Sequence, residues 1–222
     1  TEAIPIGLTG VLMPIMAYFL ALLPRQMIGK TFAGDAPMFL LGVLAMGVVV
    51  VDVGFHKRLA AWILGWTKGF YVPVFVLCIS MSVIGGFISA HAMCAFMTPV
   101  MMAVYFGVVQ SNSPPGEMKH DPVLAKFLLF TLCFALNVGG VGSPAAGGRN
   151  VIMMGFWEGY QVPMSFFTWM KYGLPMVPIL GVLVAVYMLL VMGRKITYKD
   201  LTPGLKAIKQ ENKKMGRMRY RE

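Results

Sequence analysis

Charge is what this sequence has least of. Charged residues fill 13% of its 222 positions, and only nine are acidic. Soluble domains carry about 25% charged residues, so a water-soluble globular fold is excluded. Cysteine is also scarce. Cys78, Cys94 and Cys133 are the three present, each inside an apolar run. They have neither paired nor metal-ligand spacing, so they read as buried free thiols, with no disulfide framework and no zinc centre. No phosphate-cradling loop, catalytic triad or zinc motif appears. Without a catalytic constellation, an enzyme is not expected, and neither is a bound cofactor.

What is there is apolar. The hydrophobic fraction is 58% and the mean hydropathy +0.72. These values place the chain as an all-α polytopic membrane protein. The 20 methionines are spread through all the apolar runs. Met93-Cys94 and Met153-Met154 make no metal site, and core filling suits them better. The net charge of +10 is concentrated at one end. Ten of the 19 basic residues lie from Arg194 onward, against three acids, Asp200, Glu211 and Glu222. A basic segment just past an apolar run reads as cytoplasmic. Anionic lipid headgroups are its simplest partner, ahead of nucleic acid, which is not expected. The chain therefore divides into a membrane domain over 1–193 and a basic cytoplasmic tail over 194–222. It begins at Thr1 with no Met and no signal peptide, as a piece of a longer or processed protein would.

In chain order, Ile4 to Pro24 reads as a first span, kinked at Pro14. Gln26 to Asp35 is a polar connection. Pro37 to Val53 is a second span, and His56 to Lys68 an amphipathic helix with Trp62 and Trp66 at headgroup level. The long apolar stretch Phe70 to Val109 has a small, polar centre, Gly85 to Ala92. Two readings stay open for it: a re-entrant hairpin, or two full spans with a short turn. Gln110 to Asp121 is a polar loop. Trp157 to Thr168 is a polar connection, Trp169 to Met192 the last span, and Leu205 to Lys214 a short surface helix.

The stretch Asn137 to Ile152 organises the rest. It reads Asn-Val-Gly-Gly-Val-Gly-Ser-Pro-Ala-Ala-Gly-Gly-Arg-Asn-Val-Ile. Glycines and a proline interrupt a run whose flanks, Phe127 to Leu136 and Val151 to Phe156, are as apolar as a membrane span. This predicts a helix broken within the bilayer, where irregular backbone survives only under cover of protein or a water-filled cavity. Such breaks expose helix ends that bind ions and substrates. The competing reading is a loop outside the bilayer.

Four blocks carry a family resemblance. They are Thr1-Glu2-Ala3-Ile4-Pro5; residues 87–100, Phe-Ile-Ser-Ala-His-Ala-Met-Cys-Ala-Phe-Met-Thr-Pro-Val; residues 138–152; and Ser165 to Pro175. In order and spacing they resemble the divalent anion:sodium symporter family across nearly the whole chain. The resemblance implies the first of two inverted repeats, lacking its earliest helices. Such a repeat holds a re-entrant helical hairpin and a discontinuous transmembrane helix. It implies a homodimer, a second repeat as partner, a plasma or inner membrane location, and sodium-coupled secondary transport of a small anion. That anion is a di- or tricarboxylate or sulfate, and protons are the alternative coupling ion. A noncatalytic membrane subunit built on the same scaffold is the alternative function.

The resemblance also implies the site. In the family the hairpin tip holds Ser-Asn-Thr; here the positions are Ser89, Ala90 and His91. Ser143 stands where the family has Thr, and Asn150 is retained. Gly147-Gly148-Arg149 replaces Thr-Pro-Pro. Substrate contacts fall on Ser89, Ala90, His91, Ser143, Arg149 and Asn150, and sodium contacts on Ser89, Gly139, Gly140 and Gly142. Arg149 is the one basic residue between Lys126 and Lys171. Its fork suits a carboxylate or sulfate, or it snorkels, or pairs with Asp52 or Glu158. His91 reads as a structural hydrogen-bonder or as a proton carrier.

The charge bias generates a topological prediction. A cysteine introduced as Lys209→Cys should resist membrane-impermeant maleimide added outside intact cells. Ready labelling would place the tail outside and reverse the orientation.

Overall fold

The computed structural model describes residues 5–34, 37–39, 41–42, 45, 49, 67–114, 118–162 and 164–206. The chain divides into two units, residues 1–42 and 43–222.

In the first unit, α1 (Ile6–Phe19) follows Pro5 and carries Pro14 inside it. Its 14 residues fall short of the expected Ile4 to Pro24 span. The reason is a left-handed cap. Ala21 takes φ 53°, its N–H donates to Tyr18 O, and the Leu22 N–H reaches back to Ala17 O at 2.9 Å. That pair of bonds is the Schellman closure, which ends a helix whatever the hydropathy beyond it. The segment expected as a polar connection instead folds as α2 (Arg25–Ala33). Arg, Gln, Met and Lys favour helix, and Pro24 sits just ahead of the first turn. The expected second span is described at only a few positions. The expected amphipathic helix lies outside the described residues except for Thr67 and Lys68.

The second unit contains α3 (Tyr71–Gly85), α4 (Ala90–Asn112), α5 (Pro122–Gly139), α6 (Gly148–Gly159) and α7 (Phe166–Val191). Among the described residues α4, α5 and α7 are long and apolar enough to cross a membrane. α3 and α4 form an antiparallel hairpin turned at Gly86 to Ser89. Its open ends lie together. Gly69, just before α3, donates to Thr202 Oγ1 at 3.0 Å and accepts from the Leu201 N–H. Beyond α4, His120 Nδ1 lies 3.3 Å from the Tyr105 hydroxyl.

Asp121 ties this end. One carboxylate oxygen caps α5 by accepting from the Val123 and Leu124 N–H groups. The other accepts from the Thr197 N–H at 2.9 Å. Residues 196–205 are thereby docked on the bundle, with Ile196, Leu201 and Leu205 buried. Lys68, Lys119, Lys126, Arg194, Lys195, Lys199 and Lys206 are all exposed around the same end.

The core is rich in methionine, as expected: Met81, Met93, Met97 and Met101 are almost wholly enclosed, beside Phe127, Leu132 and Leu136. At its far end three helices cross at one point. A Cβ on Gly139 of α5 would collide with the Ser82 carbonyl of α3, and one on Gly85 would lie 2.7 Å from Leu136 O. A Cβ on Gly181 of α7 would strike Ser82 Oγ. Small residues let helix backbones touch where lipid offers no hydrophobic drive for association. Beyond this crossing, a Cβ on Gly142 would sit 2.9 Å from Val177 and 3.3 Å from the Gly86 Cα, so the hairpin tip lies level with Val177. From there α7 runs on to Phe166, about 16 Å further at roughly 1.5 Å per residue.

The crossing is testable. Gly139→Ala should lower the thermal stability of the detergent-solubilised protein by about 1–3 kcal/mol, the usual cost of overpacking. Gly155→Ala, where nothing lies within 4 Å, should not. Equal melting temperatures for the two variants would refute the close approach.

Candidate functional site

α5 stops at Gly139, a short 3₁₀ turn spans Pro144–Ala146, and α6 starts at Gly148. This is the interruption expected from the glycines. Gly140 closes the helix by donating to Asn137 O, and the Gly142 N–H returns to Gly139 O at 2.8 Å. The chain then crosses the hairpin tip. Ser143, fully buried, donates its hydroxyl to Gly86 O. Asn150, from the first turn of α6, donates its amide to Gly140 O at 2.7 Å and Ser143 O at 2.8 Å. One side chain thus spans the break and fixes both of its edges.

The sequence-predicted residues fall into two groups. Ser143, Asn150, Gly139, Gly140 and Gly142 form one hydrogen-bonded unit with the hairpin tip. Ser89, Ala90 and His91 follow the tip at the start of α4. Ser89 is the N-cap of α4, yet its side chain makes no capping bond. The Ala90 methyl packs into the core at 8% exposure, whereas His91 is exposed. Arg149 is exposed beside Asn150 and forms no ion pair among the described residues. Glu158 is likewise exposed, and Asp52 lies outside the described residues. No cluster of three or more His, Cys, Asp or Glu side chains that would hold a metal occurs among the described residues.

Sequence reading missed three contributors. Gly86 supplies the carbonyl that receives Ser143. Trp169 of α7 donates its indole N–H to Val141 O at 2.9 Å, and Trp157 lies against it with ring centroids 5.8 Å apart. An apolar cavity of about 360 Å³ opens between these rings, Tyr172, Gly173 and Val141. The signal for Trp169 was present in the Ser165 to Pro175 block, but its partner is a backbone carbonyl that no side-chain pattern reveals. α6 ends as α1 does. Gln161 at φ 60° donates to Glu158 O, and the Val162 N–H reaches Trp157 O.

Asn150 generates the next prediction. Asn150→Ala removes two hydrogen bonds and should destabilise the protein by about 1–3 kcal/mol in thermal unfolding. Asn150→Asp should be worse, because a carboxylate would face two carbonyl oxygens. An unchanged melting temperature in both would show that the amide does not brace the break.

A family model described as citrate transporter matches residues 1–217. The chain is 24% identical over 189 residues to the sodium-dependent high-affinity dicarboxylate transporter 3 of Caenorhabditis elegans, an alignment covering 79% of this chain and 33% of that protein. It is 26% identical over 233 residues to the sodium-dependent dicarboxylate transporter SdcS of Staphylococcus saprophyticus, covering 100% of this chain and 43% of the relative. The sodium-dependent high-affinity dicarboxylate transporter 2 of C. elegans is 28% identical over 223 residues, with 86% and 39% covered. The chain thus spans less than half the length of these relatives. Family and relatives are transporters and not enzymes, and they bear out the resemblance drawn from the four blocks. Together with three helices of spanning length, they mark an integral membrane protein, and the chain belongs to the citrate transporter family.

Proposed function

We propose that the chain is one repeat of a secondary transporter that moves a small carboxylate anion together with sodium. The observation that carries this reading is the joint between two interrupted elements, where Ser143 binds the hairpin tip and Asn150 braces the break. The N-termini of α4 and α6 flank this joint. Helix N-termini carry partial positive charge and unpaired N–H groups, which complement a carboxylate. The Gly139 and Gly140 carbonyls each accept one bond, and a carbonyl oxygen has a second lone pair for a cation. With the Ser89 hydroxyl and Gly142, they offer hard oxygen ligands of the kind sodium takes.

The names of the relatives, sodium-dependent dicarboxylate transporters, and the citrate of the family description favour a di- or tricarboxylate over sulfate and sodium over protons. The resemblance makes the hairpin re-entrant, although its second arm, α4, is of spanning length. Its first arm, Tyr71–Gly85, is about 22 Å long at roughly 1.5 Å per residue, short of the ~30 Å hydrocarbon core. The basic end of the bundle is then cytoplasmic and meets anionic lipid. The missing length relative to the relatives supports a second repeat as partner, and the resemblance supports a homodimer.

Arg149 stands in this scheme as a fixed cation beside the break. It takes over part of the positive charge that sodium supplies near the substrate, so anion binding depends less on sodium than in ordinary family members. The test is citrate and succinate binding to the full-length protein with and without sodium, in the wild type, Arg149→Lys and Arg149→Gln. Arg149→Gln should bind at least about tenfold more weakly, and Arg149→Lys should also be poor where the guanidinium fork grips both carboxylate oxygens. Unchanged affinity in a folded Arg149→Gln would leave the site to Ser89, the glycine carbonyls and Asn150.

A further inference from the structure

Two of the three cysteines meet. The sulfurs of Cys94 on α4 and Cys133 on α5 lie 3.2 Å apart, although 39 positions separate them in sequence. Both are free and half-buried, while Cys78 is enclosed in the core. A disulfide requires the sulfurs at about 2.0 Å, about 1 Å closer than they stand. The backbone at both positions is held. Thr98 donates to the Cys94 carbonyl and Asn137 to the Cys133 carbonyl.

We propose that Cys94 and Cys133 form a reversible disulfide that clasps the second arm of the hairpin to the broken helix. The oxidant is a hydroperoxide. One thiolate attacks its terminal oxygen, the O–O bond breaks, and a sulfenic acid and an alcohol result. The second thiol attacks the sulfenic sulfur; the S–S bond forms, and hydroxide leaves with the thiol proton as water. In sum, two thiols and one hydroperoxide give one disulfide, one alcohol and one water. A dithiol reductant reverses the bond through a mixed disulfide. Cys94 lies one turn beyond Ala90, and Cys133 less than two turns before Gly139, so closure fixes the hairpin tip against the break. The bond itself stands on the sulfur geometry. Its effect on ligand binding rests on the anion-site reading above.

The experiment treats the full-length protein in its native membrane with tert-butyl hydroperoxide, then denatures and alkylates it for mass analysis. The expected result is loss of the Cys94 and Cys133 thiols to a bond within one chain, reversed by dithiothreitol, with Cys78 still alkylated. Cys94→Ser and Cys133→Ser should each abolish the loss. Cys94 and Cys133 still free after oxidation, a bond between two chains on a non-reducing gel, or loss of the Cys133 thiol persisting in Cys94→Ser would overturn the proposal. Sodium-driven succinate and citrate uptake forms the second arm. Uptake should fall at least about tenfold on oxidation of the wild type and stay constant in Cys94→Ser. A bond that forms without changing uptake would overturn the clasp on the hairpin. Absence of uptake in the reduced protein would sink the transport reading while leaving the cross-link result standing.

Discussion

The contact of Gly139 with the Ser82 carbonyl decides how the rest of the second unit is arranged. It lets α3 and α5 touch backbone to backbone, and Gly181 brings α7 to the same point. Because the three helices meet there, the hairpin tip is delivered to the place where α5 ends. Only then does Ser143 find Gly86, and only then does the break have a wall to lean on. A bulkier residue at 139 would separate the tip from the loop and dissolve the site before any of its polar groups changed.

The polar groups at the break do two jobs. Asn150 and Ser143 spend their donors on backbone carbonyls, as buried polar atoms in a low-dielectric setting must. What remains for a ligand is the unused capacity: second lone pairs on carbonyls, the uncapped Ser89 hydroxyl and N–H groups at two helix starts. The charged side chain beside the break, Arg149, is exposed and outside this hydrogen-bonded frame, so the parts that build the joint are separate from the charge beside it.

Much of this was legible in the residues. The glycines and Pro144 announced the break, because they cannot continue a helix, and the apolar flanks announced the membrane. The methionines were read as core, and Met81, Met93, Met97, Met101 and Met188 are, whereas Met13, Met16, Met27 and Met176 among others are exposed. The lengths of α1 and α2 were not legible. A left-handed cap on Ala21 has no glycine to signal it, and α2 is a polar run whose helix propensity outweighs its look as a connection. The docking of the first tail residues was not legible either: Ile196, Leu201 and Leu205 are buried, and the bonds that dock them run through Asp121, Gly69 and backbone atoms far away in sequence. The Cys94–Cys133 contact was hidden for the same reason, since hydropathy and spacing say nothing about which faces of two helices meet.

The Asp121 clamp has a mechanical consequence. With Thr197 on one oxygen, the start of α5 on the other, and Gly69 tied to Leu201 and Thr202, three helix ends are bound into one plate. Stiffness is therefore graded along the bundle. The opposite pole is held more lightly in α6, where Val151 is the one buried side chain and Asn150 supplies two side-chain bonds back to the break. The unit is built like a cantilever fixed at its charged end, with α6 as its most lightly held member beside the break.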